Sequence, residues 1–254
     1  MHILITNDDG INAPGMLALA QEMRSLGKVS ILAPDHNWSA SGHVKTMHRP
    51  LRVWEVTLAD GTSALTSDGA PSDCVALALL GMIEGPINLV VSGINPYANI
   101  GHDITYSGTV TAAMEAVIGG VPGLAFSLHS PEGFKGQLDY GPAARVARRI
   151  VQTLVKDGLS SHTLLNVNVP YLQDEEMQGV LVTRLGLRLY RDQLDRRLDP
   201  RGRPYYWIGG EAPTAVPDEG TDFGALERGF VSITPIDLDL TDYEILEELH
   251  KVQW

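Results

Sequence analysis

The sequence has little of several features that mark specialised classes of protein. Among its 254 residues Cys74 is the only cysteine, which excludes an intrachain disulfide and a cysteine-based zinc site. It has no apolar run of about 18 residues, and its amino terminus lacks the basic region and long apolar segment of a signal peptide. We therefore expect a soluble cytoplasmic protein without a membrane segment, in which Cys74 is a small core residue.

The chain also lacks an excess of basic charge. Its 19 Lys and Arg residues are outnumbered by 31 Asp and Glu residues, and its formal net charge is -12 at pH 7. A general nucleic-acid-binding protein normally has a basic surface, so we expect no stable complex with nucleic acid. A small phosphorylated substrate is compatible with this charge, because a bound metal ion can neutralise a phosphate locally. The hydrophobic content of 44% is enough to bury a full core.

Short apolar runs alternate with helical patterns through the first two thirds of the chain. Strands are predicted at 2–6, 28–33, 51–56, 87–91, 123–128 and 164–169. Helices are predicted at 13–20, 71–82, 109–118 and 142–155. This order predicts an α/β fold, a Rossmann-like three-layer sandwich with a mostly parallel central sheet and helices on both faces.

The pattern changes in the last third of the chain. Strands are predicted at 180–190 and 204–208, on either side of an arginine-rich segment at 191–203, and a further strand at 230–235. A terminal helix is predicted at 241–250. The chain has no internal repeat and no low-complexity linker. We interpret residues 1–254 as one domain, with a core at about 1–175 and an extension of β-hairpin and terminal helix at about 176–254.

The most informative stretch is Asn7-Asp8-Asp9-Gly10, which follows the first predicted strand and precedes the first predicted helix. In an open α/β sheet, ligands bind at the carboxyl ends of the strands, where these two carboxylates stand. Adjacent carboxylates repel each other, and a hard divalent cation relieves the repulsion. Asn, Asp and Gly also favour turns, so a plain turn is the alternative interpretation.

Polar residues also follow other strands of the predicted sheet. Ser39 lies in the loop after the second strand, and Asn95 follows the fourth strand. Both offer neutral oxygen ligands that could complete a cation site with the two aspartates. Further along the chain, Ser107, Gly108 and Thr109 offer hydroxyls and backbone amides at a helix amino terminus, which suits a phosphate. Each residue also has a simpler interpretation, Ser39 as a loop serine and Ser107 or Thr109 as a helix cap.

Several segments occur together in the order and spacing of a known family. The segments are 7–10, 33–35, 39–43, 92–95 and 106–113. They resemble the SurE family of stationary-phase survival proteins, and the resemblance runs over essentially the whole chain. Further segments that are similar to landmarks of this family lie at 166–170, 183–186, 220–222 and 231–235.

The resemblance implies a metal-dependent phosphatase of nucleoside 5'-monophosphates, a 5'-nucleotidase; some members of the family also act on 3'-nucleotides or short polyphosphate. The metal ligands that it implies are Asp8, Asp9, Ser39 and Asn95. The phosphate ligands that it implies are Asn95, Ser107, Gly108 and Thr109. An all-oxygen site suits one Mg²⁺ or Mn²⁺ per subunit. Members of the family are typically dimers or tetramers with exchanged carboxyl-terminal elements, which implies a homodimer or homotetramer here.

The reaction that fits such a site is attack by water on a phosphoryl group that the metal ion polarises. Asp9 is the candidate for positioning or deprotonating this water, and Asp8 is the firmer metal ligand, although the two roles could be exchanged. A covalent aspartyl-phosphate on Asp8 is an alternative. His43 is a candidate proton donor to the leaving oxygen, and the alternative is a histidine that only organises its loop.

Two other classes of protein share part of this pattern. A signalling receiver module also has an acidic pair after its first strand, but it needs a phosphate-accepting aspartate at a strand end where Ser92-Gly93-Ile94-Asn95 stands here. A dinucleotide-binding oxidoreductase needs G-x-G-x-x-G after the first strand, where this chain has Asp8-Asp9-Gly10-Ile11-Asn12. The sequence disfavours both classes.

The extension carries two further patterns. Arginines at 184, 188, 191, 196, 197, 201 and 203 are interleaved with Asp192, Asp195 and Asp199. They form either a basic rim for phosphates or a salt-bridged hairpin that is solvated or lies in a subunit interface, and interleaved charges favour the hairpin. In the tail, apolar residues recur at helical spacing from Leu240 to Val252. This face is predicted to dock either on its own subunit or on a partner.

Overall fold

A mostly parallel sheet forms the centre of the computed structural model, which describes residues 1–211 and 213–254. Within these residues the sheet has nine strands in the order β3-β4-β2-β1-β5-β6-β7-β11-β8. Its strands are β1 His2–Thr6, β2 Lys28–Pro34, β3 Val53–Thr57, β4 Ser63–Ser67, β5 Leu89–Asn95, β6 Gly123–His129, β7 Leu164–Pro170, β8 Val180–Val182 and β11 Val231–Pro235. Strands β9 Arg188–Leu198 and β10 Pro204–Ala215 form a separate antiparallel hairpin.

Helices cover both faces of the sheet. They are α1 Pro14–Met23, α2 Pro71–Leu77, α3 Gly108–Ile118, α4 Gly141–Asp157, α5 Asp222–Leu226 and α6 Tyr243–Leu249. A π-helical turn, Ala78–Met82, follows α2, and a 3₁₀ turn, Gly101–Thr105, precedes α3. In the described part of the chain, every helix is too short or too polar to cross a membrane.

Strand β1 shows how the sequence produces these layers. All five of its residues are buried, as expected for a parallel strand covered on both faces. Its side chains alternate, so Ile3 and Ile5 belong to the cluster under α1 and α4, whereas Leu4 packs with Cys74 and Val75 of α2. The predicted α/β fold is confirmed, and Cys74 is a fully buried core residue as expected.

The structure differs from the sequence prediction at the end of β5. The sequence predicts a strand that stops at residue 91 and a loop from Ser92, but β5 continues to Asn95. Parallel pairing holds these polar residues in the sheet, with Ser92 opposite Ala125 and Asn95 opposite Ser127. The prediction of a loop at Ser92 was wrong because polar composition indicates a loop only where no neighbouring strand pairs with the backbone.

The extension also differs from its prediction. The sequence predicts one strand over 180–190, whereas β8 ends at Val182 and β9 begins at Arg188. The arginine-rich segment, predicted to lie between strands, is largely part of β9 and pairs with β10. A two-stranded ribbon exposed on both faces needs no apolar alternation, so its sequence carries no strand pattern. Strand β4 and helix α5 are also absent from the predicted elements, and the predicted helix over 71–82 is α-helical only to Leu77.

A buried carboxylate connects the extension to the core. Asp222, at the start of α5, accepts hydrogen bonds from the amides of Gly101 (2.8 Å) and Gly186 (2.9 Å), and from its neighbour Phe223 (2.8 Å). Asp222 is fully buried. A buried carboxylate that satisfies three amides fixes those three backbone segments relative to one another. The turn before α3 is therefore held by a residue more than a hundred positions later in the chain.

A network of asparagines lies beside this junction, under the same turn. The side chains of Asn166 and Asn168 donate to the carbonyl of Asn99 at 2.8 and 3.0 Å. The Asn99 amide donates to Asn168 Oδ1 at 2.8 Å, and its side chain donates to Ser127 Oγ at 2.8 Å. Such a buried polar network specifies one arrangement of the strand ends, because each broken bond would leave a buried polar atom without a partner.

The terminal helix α6 has no buried residue, and its apolar face is open. Leu240 is 93% exposed and Tyr243 is 62% exposed, and Ile245, Leu249 and Val252 are also exposed. The alternative that this helix docks on its own subunit is therefore not what the structure shows. A helix this short is marginal alone, so its apolar face needs a contact to stay ordered. The homodimer or homotetramer implied for the extension stays a prediction.

Deletion of residues 240–254 tests whether the tail assembles the protein. We expect the full-length chain to be oligomeric in multi-angle light scattering and the truncated chain to form a smaller oligomer or aggregates, because the deletion removes the apolar face of α6 that is predicted to dock on a partner. Glu247→Gln, an exposed substitution in α6, is the control and should keep the full-length mass. An unchanged mass after truncation contradicts the assembly role.

Candidate functional site

The two aspartates lie where the sequence places them, directly after β1. Asn7 shapes the turn by donating from its side-chain amide to the carbonyl of Gly10 at 3.0 Å. The loop after β2 lies against this turn, since the Trp38 amide donates to the Asp8 carbonyl at 2.7 Å and the Ile11 amide donates to Pro34 at 2.8 Å. The turn and the site are therefore one feature, because Asn7 and Gly10 form the turn that presents Asp8 and Asp9.

The amino terminus of α3 meets the Asp8 carboxylate. Thr109 Oγ1 donates to Asp8 Oδ1 at 2.5 Å, and the nearby backbone amides of Gly108 and Thr109 favour the charged form of Asp8. A Cβ atom on Gly108 would lie 2.6 Å from the Cβ of Asp8 and 3.0 Å from its Oδ2. Only glycine permits this close approach, which brings the positive end of the helix dipole to a negative charge.

Burial alters the titration of both carboxyl groups. Asp8 is 4% exposed, and removal from water raises its pKa even though the Thr109 hydroxyl and the helix amides favour the charged form. Burial and the neighbouring charge of Asp8 raise the pKa of Asp9 to about 7. Among the described residues, no Lys or Arg forms an ion pair with either aspartate. The pair therefore lacks a positive partner from the protein.

The donor atoms around this pair fit a hard cation. The described residues contain no group of three or more His, Cys, Asp or Glu side chains placed to hold a metal ion, so the two carboxylates would need neutral oxygen partners. Asn7 Oδ1 is buried beside them and has no hydrogen-bond partner among those residues. An all-oxygen set of carboxylate, amide and hydroxyl groups suits Mg²⁺ or Mn²⁺ and does not suit zinc.

Ser39 and Asn95 reach this edge of the sheet from two neighbouring strands. Ser39 is exposed in the loop after β2, where its amide donates to Asn37 Oδ1 at 2.7 Å, and Asn37 in turn contacts Asp9 Oδ1 at 3.5 Å. Asn95 ends β5, the strand that pairs with β1. Its side-chain nitrogen donates to the Tyr97 carbonyl at 2.6 Å, so Oδ1 is the atom that can face a cation.

Ser107 and Thr109 have different roles in the structure, although the sequence groups them. Ser107 is the N-cap of α3, and its Oγ accepts from the Val110 amide at 3.1 Å, which is the simpler interpretation considered for it. The bond to Val110 uses the hydroxyl oxygen as an acceptor, so the hydroxyl proton can still be donated to a phosphate. Thr109 is fully buried, and its hydroxyl is directed at Asp8. The Thr109 hydroxyl therefore donates to the Asp8 carboxylate and not directly to a phosphate.

His43 contacts a carboxylate of its own. Its Nε2 lies 2.9 Å from Oε2 of Glu115, on α3, and Lys45 Nζ lies 3.2 Å from the other oxygen of the same carboxylate. Glu115 is 8% exposed, and these two partners lower its pKa. The geometry favours the alternative in which His43 organises the loop that carries Ser39.

Sequence reasoning missed two partners of the aspartates. Asn37 contacts Asp9, and the Thr109 hydroxyl contacts Asp8 across 101 positions of sequence. A signal for Asn37 exists, because it follows strand β2 at the same sheet edge as Asp9. The role of Thr109 has no local signal, since a hydroxyl in the first turn of a helix is equally typical of a cap.

Comparison with known proteins agrees with this geometry. The family described as "Survival protein SurE" matches residues 3–192. A protein of Chloroflexus aggregans named "5'-nucleotidase SurE" is 50% identical over 254 residues, which is 100% of both chains. A protein of the same name from Herpetosiphon aurantiacus is 52% identical and covers 100% of this chain and 99% of its own. The crystal structure of the Sure protein from Aquifex aeolicus superposes with a TM-score of 0.81 at 39% identity and covers 98% of each chain.

The pKa of Asp9 predicts how the stability of the metal-free protein depends on pH. The native state holds the Asp9 proton up to a pKa of about 7, whereas the ordinary value is 3.8, so ionisation costs stability that grows as the pH rises through this window. In urea unfolding with a chelator at pH 8, we expect Asp9→Asn to be more stable than the parent by roughly 1–3 kcal/mol. At pH 4 the two proteins should be nearly equal.

Glu247→Gln is the control for this measurement, because Glu247 is exposed on α6. It should leave the curve of unfolding free energy against pH unchanged. Parallel pH curves for the parent and Asp9→Asn would show that Asp9 carries no burial or repulsion cost.

Proposed function

This chain belongs to the SurE family, and on that premise we propose that it is a 5'-nucleotidase that hydrolyses nucleoside 5'-monophosphates to nucleoside and phosphate with the help of a divalent cation. The same site could also take 3'-nucleotides or short polyphosphate. The names of the relatives support a nucleotide phosphomonoesterase. The observation that carries the proposal is the Asp8–Asp9 pair, which has no positive partner in the described protein and lies at the amino terminus of α3; Asp8 is buried and Asp9 is half-buried.

The proposed cation ligands are Asp8, Asp9, Ser39 and Asn95, with Mg²⁺ or Mn²⁺ as the cation. When bound, the cation would neutralise the carboxylate pair, polarise a phosphoryl oxygen and lower the pKa of a water molecule. The positive charge of the cation is needed because a phosphomonoester dianion must approach a protein whose formal net charge is -12.

The two aspartates suit different tasks. Asp8 is buried, and the Thr109 hydroxyl fixes its orientation, which supports its role as the firm ligand. Asp9 is less buried and has the side chain of Asn37 nearby, which supports its role in positioning or deprotonating the attacking water. The Ser107 hydroxyl and the amides that follow it can stabilise charge on the phosphate.

Release of inorganic phosphate from AMP in the presence of manganese tests the proposal. We expect the parent protein to release phosphate, and Asp8→Asn and Asp9→Asn each to lose most of this activity, because removing one carboxylate weakens metal binding. Glu247→Gln should retain full activity. Full manganese-dependent turnover in both aspartate variants would contradict the assigned site, and an inactive parent protein would contradict the proposed reaction.

The different contacts of Ser107 and Thr109 predict different defects. Ser107→Ala should lower turnover by about 10- to 1000-fold, the range for losing one donor to developing charge, without changing metal affinity. Thr109→Val removes the donor to Asp8, so the manganese concentration that gives half-maximal activity should rise by about 10-fold or more. Titration calorimetry with manganese checks both. An equal metal affinity in Thr109→Val and the parent contradicts the assignment of Thr109 to Asp8.

A further inference from the structure

One main-chain carbonyl accepts hydrogen bonds from the last two amides of the turn before α3. We define the phosphate turn as residues 101–107, which lead into the α3 amino terminus. The carbonyl of Asp103 accepts from the amides of Tyr106 at 3.0 Å and Ser107 at 3.1 Å. The orientation of Ser107, and hence of the first amides of α3, therefore depends on where Asp103 is held.

The side chain of Asp103 is held by the hairpin of the extension. Nε of Arg188 lies 2.8 Å from Asp103 Oδ2, an ion pair whose N–H is not aligned as a hydrogen bond. The Tyr190 hydroxyl donates to the other oxygen, Oδ1. Burial and this hydrogen bond raise the pKa of the Tyr190 hydroxyl. The two side chains of the ion pair are only 18% and 21% exposed, so water screens them less than a surface pair.

A second contact joins the same two segments. Asp222 accepts from Gly101 of the phosphate turn and from Gly186, just before β9. A Cβ atom on Gly101 would lie 2.6 Å from the carbonyl oxygen of Gly186, so the two backbones are in close contact. The base of the hairpin thus touches the phosphate turn at Gly101 and at Asp103.

Other arginines of the hairpin pair within it. Arg197 contacts Asp195 at 2.6 Å, and Arg191 lies 3.6 Å from Glu211 on the opposite strand. These pairs are well exposed, as the sequence analysis predicts for a salt-bridged ribbon. Arg188 differs, because its carboxylate partner lies outside the hairpin, next to the candidate site.

We propose that Arg188 and Tyr190 are positioning residues, which hold Asp103 so that the phosphate turn presents Ser107 and the α3 amides to the phosphate of the substrate. This inference rests on the proposed function, because it assigns the turn to phosphate. In this inference the exposed hairpin helps to order the phosphate turn. A substitution of Arg188 or Tyr190 should therefore weaken phosphate binding and leave metal binding unchanged.

Amide hydrogen exchange of the metal-free protein, measured by NMR, tests the structural step without activity. In Arg188→Met and in the milder Tyr190→Phe, we expect the amides of Tyr106 and Ser107 to exchange at least about 10-fold faster than in the parent protein, while the amides of β1 keep their rates. Arg197→Met is the matched control from the same hairpin and should leave all of these rates unchanged. Unchanged exchange at Tyr106 and Ser107 in both variants overturns the inference.

Kinetics test the functional step. With AMP and manganese, Arg188→Met should raise KM and the inhibition constant of inorganic phosphate by about 3- to 10-fold, with the manganese requirement unchanged, and Arg188→Lys should recover part of the loss. If Arg188→Met does not fold, Tyr190→Phe takes its place. The inference is overturned if the inhibition constant of inorganic phosphate in Arg188→Met equals that of the parent protein. It is also overturned if this constant rises equally in Arg197→Met. An inactive parent protein rejects the proposed function, and calorimetric binding of inorganic phosphate to the manganese-loaded proteins then decides the inference.

Discussion

The repulsion between two neighbouring carboxylates, Asp8 and Asp9, is the constraint around which this edge of the sheet is organised. Their burial raises the pKa of both groups, and in the described structure no lysine or arginine relieves them. The α3 amino terminus, the glycine at 108 and the hydroxyl of Thr109 all lower the cost of the Asp8 charge without cancelling it. The rest of the fold must supply enough stability to keep this unfavourable pair in place, which is a common cost of a functional site.

The sequence predicts much of this arrangement, for a physical reason. Strands β1 and β2 are short apolar runs between turn residues, and in a parallel sheet their carboxyl ends share one edge. Knowledge of the strands alone is therefore enough to bring Asp8 and Asp9 to the same edge as Ser39. The helix that starts at Gly108 is equally predictable from its spacing of apolar residues.

The contacts that orient the site are not predictable in this way. Arg188 is one of seven arginines in a segment rich in aspartates, and nothing in its neighbourhood identifies Asp103 as its partner. The length of β5 depends on its pairing with β6. The polar residues at the end of β5 give no sign of this pairing in the sequence. Such contacts join residues far apart in sequence, and their identity is decided only when the whole chain is packed.

The bond between Asp222 and Gly101 spans 121 positions, and this distance has a consequence for biosynthesis. A ribosome releases the aspartates, the loop after β2 and the α3 segment long before it adds the residue that anchors the turn. Until then the turn before α3 lacks the carboxylate that accepts from the Gly101 amide. The turn before α3 therefore gains this contact only after the segment around Asp222 has been made, since long-range contacts form last.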